Sequence, residues 1–143
     1  MLDVKIKKLY DDSIMPTRAD EDSAGLDLYS HDNVYIEPHD TVKVSAGIAM
    51  ETPKGTFGAI FARSGLSTKE GLRPANCVGV VDSSYRGEVF VALHNDTNEP
   101  RSVEVGERIA QLIVMEYPKV TLVETEELSD TERGSGGFGH SGK

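Results

Sequence analysis

Residues 41–53 read Thr-Val-Lys-Val-Ser-Ala-Gly-Ile-Ala-Met-Glu-Thr-Pro. Apolar residues alternate with polar ones from Thr41 to Ser45, and a period of two is typical of a strand with one buried face. Apolar residues then continue to Met50. Pro53 marks the end, because proline has no N–H to donate to a ladder. The segment therefore predicts a strand.

Similar short runs lie on both sides of this strand, at 4–9, 34–36, 55–61, 78–81, 88–93, 102–105, 109–115 and 120–123. Turn residues such as Pro53-Lys54-Gly55 and Tyr117-Pro118 separate them at short intervals. This spacing predicts an all-β sandwich, jelly roll or barrel. Only Ser67-Thr68-Lys69-Glu70 is predicted to be helical, with a Ser-x-x-Glu capping box and Gly71 as its end.

Composition narrows the class of protein. The chain has 143 residues, 38% hydrophobic and 27% charged, which is enough for one domain with a real core. Its formal net charge of -9 argues against non-specific binding to nucleic acid or membranes, since both need clustered Lys and Arg. Cys77, the single cysteine, is expected to be a small core residue. We found no apolar run of transmembrane length and no signal-peptide core, so we expect a soluble, cytoplasmic protein.

The end of the chain differs from the rest. Residues 1–123 are predicted to form the β-rich core, and 124–143 an acidic arm that leads to a glycine-rich end. Residues 133–143, Arg-Gly-Ser-Gly-Gly-Phe-Gly-His-Ser-Gly-Lys, have the composition of a disordered tail or linker. They also contain what a phosphate clamp needs: a guanidinium, bare backbone amides, a hydroxyl and a flat ring. Polar clusters around Arg63 and Asp82 favour the second interpretation.

Five segments together form a specific pattern. They are Ala-Gly-Leu-Asp-Leu at 24–28, Ala-Arg-Ser-Gly-Leu at 62–66, Asn-Cys-Val-Gly-Val-Val-Asp-Ser-Ser-Tyr-Arg-Gly at 76–87, Gly-Glu-Arg-Ile-Ala-Gln at 106–111, and the tail. In this order and spacing the chain resembles the trimeric dUTP diphosphatases (dUTPases). The resemblance implies a jelly-roll-like β-clip fold, a homotrimer, and hydrolysis of dUTP to dUMP and pyrophosphate with Mg²⁺. That reaction limits uracil in DNA and provides dUMP for thymidylate synthesis.

Asp82 is the candidate catalytic residue. It follows three apolar residues at a predicted strand end and precedes Ser83-Ser84. By its local sequence it could simply close a hairpin as an Asx-turn residue. A carboxylate at the lip of a pocket could also take a proton from an attacking water. The resemblance implies the second role, with attack on the α-phosphate.

The same segment contains the candidate nucleoside pocket. Asn76 and Gly79 are predicted to frame a β-hairpin whose backbone, at Val80 and Val81, could read the edge of uracil. Tyr85 could be an ordinary buried strand aromatic. The resemblance implies instead that its ring lies flat on the deoxyribose and excludes a 2′-hydroxyl.

Candidate phosphate contacts come from two other segments. From the local sequence Ser64 or Ser67 could be a helix cap, but free amides at a helix start also attract phosphate. The resemblance implies that Arg63, Ser64 and Gly65 contact the phosphate chain. It assigns Gln111 a phosphate contact as well, although a lone glutamine is usually only an exposed strand residue.

Asp27 lies between two leucines, and a turn or strand-edge role is its default. The resemblance implies that it holds waters of the magnesium that the triphosphate brings. Magnesium keeps several waters and binds mainly to phosphates, so no acidic cluster is needed. Arg108, beside Gln111, is interpreted as structural.

In the tail, the resemblance implies that Arg133 pairs with the γ-phosphate and Phe138 stacks on uracil. The phosphates are wrapped by the amides around Gly137 and Gly139, with contacts from His140 and Ser141. Each site would draw on three chains: the first, second and fourth segments from one, the hairpin from another and the tail from a third.

Two rival functions remain. A dCTP deaminase shares the fold, but its deaminating glutamate would fall near Ala92, and alanine cannot move a proton. A regulator that binds nucleotide and a partner protein is a rival of another class. Candidates for the general base, the phosphate contacts and the closing tail are all present, which argues against loss of catalysis. Their presence does not exclude a regulatory protein partner.

Overall fold

The computed structural model of the chain describes residues 2–137, and those residues form eleven strands and one short helix of π type. The elements are β1 (Lys5–Lys8), β2 (Thr17–Arg18), β3 (Leu26–Tyr29), β4 (Val34–Ile36), β5 (Thr41–Glu51), β6 (Thr56–Phe61), the short helix (Leu66–Glu70), β7 (Leu72–Pro74), β8 (Gly79–Asp82), β9 (Glu88–Asn95), β10 (Arg101–Val103) and β11 (Arg108–Glu116). The predicted all-β class is confirmed. None of the described helices is long and apolar enough to cross a membrane.

The described strands make three antiparallel sheets. Their orders are β1-β5-β9-β7, β2-β3-β11-β6-β8 and β10-β4. Apolar side chains from all three sheets form one buried cluster, which includes Leu28, Val44, Leu93, Val103 and Leu112. In β9 every second residue is buried, including Val89, Val91 and Leu93, because successive side chains of a strand point to opposite faces of the sheet.

β5 is the long strand that the opening segment predicts, and it pairs with β1 on one side and β9 on the other. Its register with β9 is interrupted between Ser45 and Ala49. Gly47 lies in this irregularity with φ of +67°, and a Cβ there would lie 2.8 Å from the hydroxyl of Ser13. Glycine is therefore required here both by the backbone and by the close approach of Ser13.

The structure corrects several local predictions. Residues 120–123 are not a strand, and Val120, Leu122 and Val123 are 74%, 92% and 79% exposed. Cys77 is not in the core: it is exposed in a turn with φ of +63°. β2, β3 and β7 were not predicted, because they are short or too irregular in sequence to show a period of two.

The predicted helix exists, but its start differs from the capping box. It begins at Leu66, so Ser67 lies inside it, and no side chain caps its start. Gly71 ends it as predicted, in the left-handed conformation with φ of 68°. Ser64 and Ser67 are therefore not side-chain caps, and the exposed Ser64 remains free for another role.

Candidate functional site

Arg63, Ser64, Gly65 and Gln111 lie together in one cleft of about 350 Å³. Three neighbouring strands position its walls: Gln111 of β11 pairs with Asp27 of β3 on one side and with Phe61 of β6 on the other. The loop that follows β6 then carries Arg63 into the same place. The structure therefore brings the second segment, the fourth and part of the first together in one cleft.

Asp27 is the centre of an ionic network in this cleft. Arg63 donates from Nε to Oδ1 at 2.9 Å, and Arg108 donates from Nη1 to Oδ2 at 3.3 Å. The Arg63 Nη1 also donates to the main-chain oxygen of Arg108 at 3.4 Å. The Asp27 side chain is only 13% exposed, so water screens these pairs less than it would at the surface. Two guanidinium groups thus converge on one carboxylate.

Arg108 also lines this cleft, although its sequence context indicated only a structural role and no place among the site residues. Arg108 and Gln111 are three residues apart and would face opposite sides of a regular strand. Between Arg108 and Ala110, however, β11 contains one residue more than the facing part of β3, which is a β-bulge. The extra residue brings the side chains of Arg108 and Gln111 to the same cleft. The sequence contains no signal that would place this bulge.

Gln111 fixes the loop that carries Arg63. Its Nε2 donates to the main-chain oxygen of Ala62 at 2.8 Å. Gly25 lies against the same amide: a Cβ there would overlap Oε1 of Gln111 and lie 3.3 Å from its Cβ. Gln111 is therefore not a free surface residue. Whether it also contacts phosphate stays a prediction.

Asp82 and Tyr85 line a second cleft, of about 320 Å³, together with Lys43, Val80, Val81, Glu88, Val89 and Phe90. Asp82 ends β8 and is exposed, and its carboxylate makes no hydrogen bond or ion pair with residues 2–137. The turn is closed instead by the amide of Tyr85, which donates to the main-chain oxygen of Asp82 at 3.0 Å. The Asx-turn alternative therefore does not hold, and the carboxylate faces solvent.

The candidate base pocket is not the predicted hairpin. β7 and β8 flank the turn at 75–78 but belong to different sheets, since β7 pairs with β9 and β8 pairs with β6. Gly79 and Val81 are buried, whereas Asn76 and Val80 are exposed. The segment is thus a corner between sheets. Asn76 and Gly79 are still neighbours, because a Cβ at Gly79 would lie 3.5 Å from the Asn76 amide nitrogen.

The tail is described only in part. Arg133 is exposed and donates from Nε to the main-chain oxygen of Gly136 at 2.8 Å, in a turn where Gly134 has φ of 51°. Gly137 is exposed. The predicted contacts Phe138, Gly139, His140 and Ser141 lie outside the described residues.

Two clefts of one chain, which share no lining residue, therefore contain most of the predicted site residues that the structure describes; Asn76, Gly79, Arg133 and Gly137 line neither. The first has guanidinium groups and loop amides, the groups that bind phosphate. The second has the Asp82 carboxylate, which has no partner among residues 2–137 and belongs to the kind of group that can accept a proton. Within residues 2–137 no group of three or more His, Cys, Asp or Glu could hold a metal ion.

Comparison with known proteins gives a consistent result. The dUTPase family model matches residues 11–142. The deoxyuridine 5′-triphosphate nucleotidohydrolase of Nautilia profundicola is 42% identical over 140 residues, which is 98% of this chain and 99% of the relative. That of Corynebacterium diphtheriae is 45% identical over 97% of this chain and 92% of the relative.

Solved structures agree with this result. The dUTPase of Staphylococcus bacteriophage 80alpha, solved with dUPNHPP, superposes with a TM-score of 0.91 at 28% identity and covers 99% of each chain. Phage dUTPases such as this one control the transfer of virulence genes. The superposition shows that this chain has the same fold.

Proposed function

This chain belongs to the dUTPase family and is a dUTP nucleotidohydrolase, and we propose that it splits dUTP into dUMP and pyrophosphate by attack of water on the α-phosphate. The reaction lowers the supply of dUTP for DNA synthesis and yields dUMP for thymidylate synthesis.

One observation carries the proposal: the positive charge of the first cleft. The chain as a whole has a net charge of -9, yet the charged side chains that line this cleft are Arg63, Arg108 and Asp27, with a sum of +1. Asp27 holds both arginines from one side, and each guanidinium has five N–H donors. The remaining donors are pre-oriented for the oxygens of a triphosphate.

Asp82 acts as the general base in this proposal. The bond that forms joins the water oxygen to the α-phosphorus, and the bond that breaks joins the α-phosphorus to the oxygen that bridges to the β-phosphate. Pyrophosphate leaves with that electron pair, and the water proton passes to the Asp82 carboxylate. Its exposure and its freedom from hydrogen bonds and ion pairs within residues 2–137 support this role.

The nucleoside lies over the corner that contains Asp82. The exposed Asn76 and Val80 face the uracil, with backbone at Gly79 and Val81 as donor and acceptor, and the half-exposed Tyr85 covers the deoxyribose. A ring against C2′ leaves no room for a hydroxyl, so the site prefers deoxyribonucleotides.

Magnesium would be held mainly by the phosphates of the substrate, with Asp27 in contact with its waters. Both oxygens of Asp27 already accept from guanidinium groups, so the residues present fit an outer-sphere contact through water and not direct ligation. A carboxylate has about four lone-pair sites, which leaves room for such waters. When bound, the ion neutralises phosphate charge; Asp27 itself orients Arg63 and Arg108.

We further propose a homotrimer with shared sites. Phosphate contacts and the base lie in separate clefts of one chain, and a second chain brings its Asp82 cleft to the first cleft of its neighbour. The tail of a third chain, with Arg133 and the predicted contacts from Gly137 onward, closes the site over the phosphates and the base.

Phosphorus NMR of products in ¹⁸O-labelled water tests the reaction. With Mg²⁺ we expect dUTP to give dUMP and pyrophosphate, with the label in dUMP alone, and dCTP, dTTP and UTP to react far more slowly. Label in pyrophosphate would mean attack at the β-phosphorus and would refute the proposed step. Ammonia release from dCTP would support the deaminase alternative.

A further inference from the structure

Tyr85 is held at two points, one on its ring and one on its backbone. Its hydroxyl donates to the main-chain oxygen of Glu88 at 2.9 Å, and its main-chain N–H donates to that of Asp82 at 3.0 Å. The residue is still 46% exposed. Because the ring is half-exposed, the hydrogen bond of its hydroxyl and the fixed backbone orient it, and burial in the core does not.

Gly87 provides the space that this orientation needs. A Cβ at position 87 would overlap the Tyr85 hydroxyl and lie 2.6 Å from Cζ and 3.0 Å from Cε2. Gly87 is not among the glycines with positive φ. The backbone would therefore accept alanine, and the position of the Tyr85 ring is what requires glycine here.

Glu88, which anchors the Tyr85 hydroxyl, belongs to the central part of a sheet. Glu88 is the first residue of β9 and pairs with Ala49 of β5, and its carboxylate accepts a hydrogen bond from the Ser45 hydroxyl. The central strands β5 and β9 thus fix the position of the ring, although Tyr85 itself lies in the corner between sheets.

We propose that Gly87 and the main-chain oxygen of Glu88 form a seat for the Tyr85 ring, and that this seat sets the preference for dUTP over UTP. The inference rests on the proposed contact between Tyr85 and the deoxyribose. Gly87 is a positioning residue that acts through Tyr85. A methyl group at position 87 displaces the ring, and the displaced ring leaves room for a 2′-hydroxyl.

The displacement has little effect on folding. The three atoms nearest to a new methyl all belong to the far end of the Tyr85 side chain, which is half-exposed and can swing outward. Gly87→Ala is therefore expected to change selectivity while the thermal unfolding temperature stays close to that of the parent.

The experiment compares kcat/KM for dUTP and UTP in five proteins: the parent, Gly87→Ala, Tyr85→Ala, the double variant and Ser84→Ala. The last is a control in the same exposed corner. We expect the dUTP-to-UTP ratio to fall about ten-fold in Gly87→Ala, the scale of steric discrimination by a small group. The double variant should match Tyr85→Ala, because two changes that act through one ring do not add.

The outcomes are distinguishable. A lowered ratio in Tyr85→Ala with an unchanged ratio in Gly87→Ala overturns the seat and leaves the sugar contact standing. An unchanged ratio in Tyr85→Ala overturns the sugar contact, and the seat with it. If Gly87→Ala does not fold, Tyr85→Phe decides: it removes only the bond to Glu88, so a lowered ratio supports the seat and an unchanged one overturns it.

Discussion

The two clefts of this chain differ in how firmly their charged groups are held. Asp27 accepts from two guanidinium groups, and Gln111 ties the loop beside them to β11. Asp82 is exposed and makes no side-chain contact of this kind with residues 2–137. In the first cleft, hydrogen bonds fix the positions of the arginines and of the loop beside them. In the second cleft, the Asp82 carboxylate is in contact with water.

The difference follows from the chemistry that each group would perform. Phosphate binding gains from donors that are fixed before the ligand arrives, since less orientation is lost on binding. A general base must reach a water molecule, and an adjacent arginine would favour its charged form and lower its basicity. Asp27 therefore orients two arginines, whereas Asp82 makes no ion pair with residues 2–137, although Lys43 lines the same cleft.

The largest expected effect is at Asp82. Asp82→Asn keeps the shape of the side chain but removes its ability to take a proton, so kcat should fall on the order of 10²-fold or more. The affinity for dUTP should change little, because the residues proposed to bind phosphate line the other cleft. Single-turnover kinetics and calorimetric titration measure the two quantities.

Asp3→Asn is the control, since it also removes an exposed carboxylate. Activity of Asp82→Asn within a few-fold of the parent would refute the base assignment. A parallel loss of binding would show that Asp82 holds the substrate instead.

Removal of the tail should have the next largest effect. In a chain that ends at Glu132, loss of Arg133 and the following residues should lower kcat/KM roughly 10²-fold, the scale for removing a charge-stabilising donor. Residues 124–132 are exposed and form no strand, so the unfolding temperature should remain near that of the parent. A large drop in that temperature, or loss of assembly, would assign the tail a structural role.

Mixing two inactive chains tests whether the clefts meet between subunits. Asp82→Asn chains are unfolded and refolded with chains that end at Glu132. A working site takes its corner from a truncated chain and its tail from a full-length one, which random assembly provides at about one half times one half of the sites. Activity should recover to roughly 25% of the parent.

If one chain supplied both elements to the same site, every site would lack one of them and mixing would restore nothing. Native mass spectrometry confirms that mixed oligomers have formed. Activity no higher than that of the unmixed chains would then refute the shared site and leave the dUTPase assignment standing.

Sequence periodicity predicted most of the β structure. β1, β4, β5, β6, β8, β9, β10 and β11 overlap their predicted runs within a few residues, because most of them bury apolar side chains. β1 buries none fully, and its Ile6 is half-buried against the core. Residues 120–123 have the same apolar character but are exposed. Periodicity indicates which side chains favour burial and contains no information about the surface that would cover them.

Motif order selected some of the residues that line each cleft, such as Arg63 and Asp82, but the local geometry could not be predicted from it. The bulge between Arg108 and Ala110 decides that Arg108 reaches Asp27, and the positive φ of Cys77 decides that a small apolar residue lies outside the core. Both depend on how strands meet across sheets, which is a property of the tertiary structure.

The smallest expected effect is at Arg108. Arg108→Gln removes one of the two partners of Asp27 and lowers the charge of the first cleft from +1 to zero. Arg63 retains its own bond to Asp27 at 2.9 Å. We expect KM for dUTP to rise about three-fold with kcat nearly unchanged, because a partly screened charge beside the ligand contributes under about 1 kcal/mol. Added salt should shrink the difference.

Arg73→Gln is the matched control for this change. Arg73 donates to both oxygens of Asp96, at 2.7 and 2.9 Å, and these hydrogen bonds hold the pKa of Asp96 below its usual value. The pair lines neither cleft, so its loss removes the same charge from the chain without changing the field at the phosphate contacts. If both variants raised KM equally, the effect of Arg108 would belong to the net charge of the chain. A rise in Arg108→Gln alone, partly reversed in Arg108→Lys, would assign it to the position of this guanidinium beside Asp27.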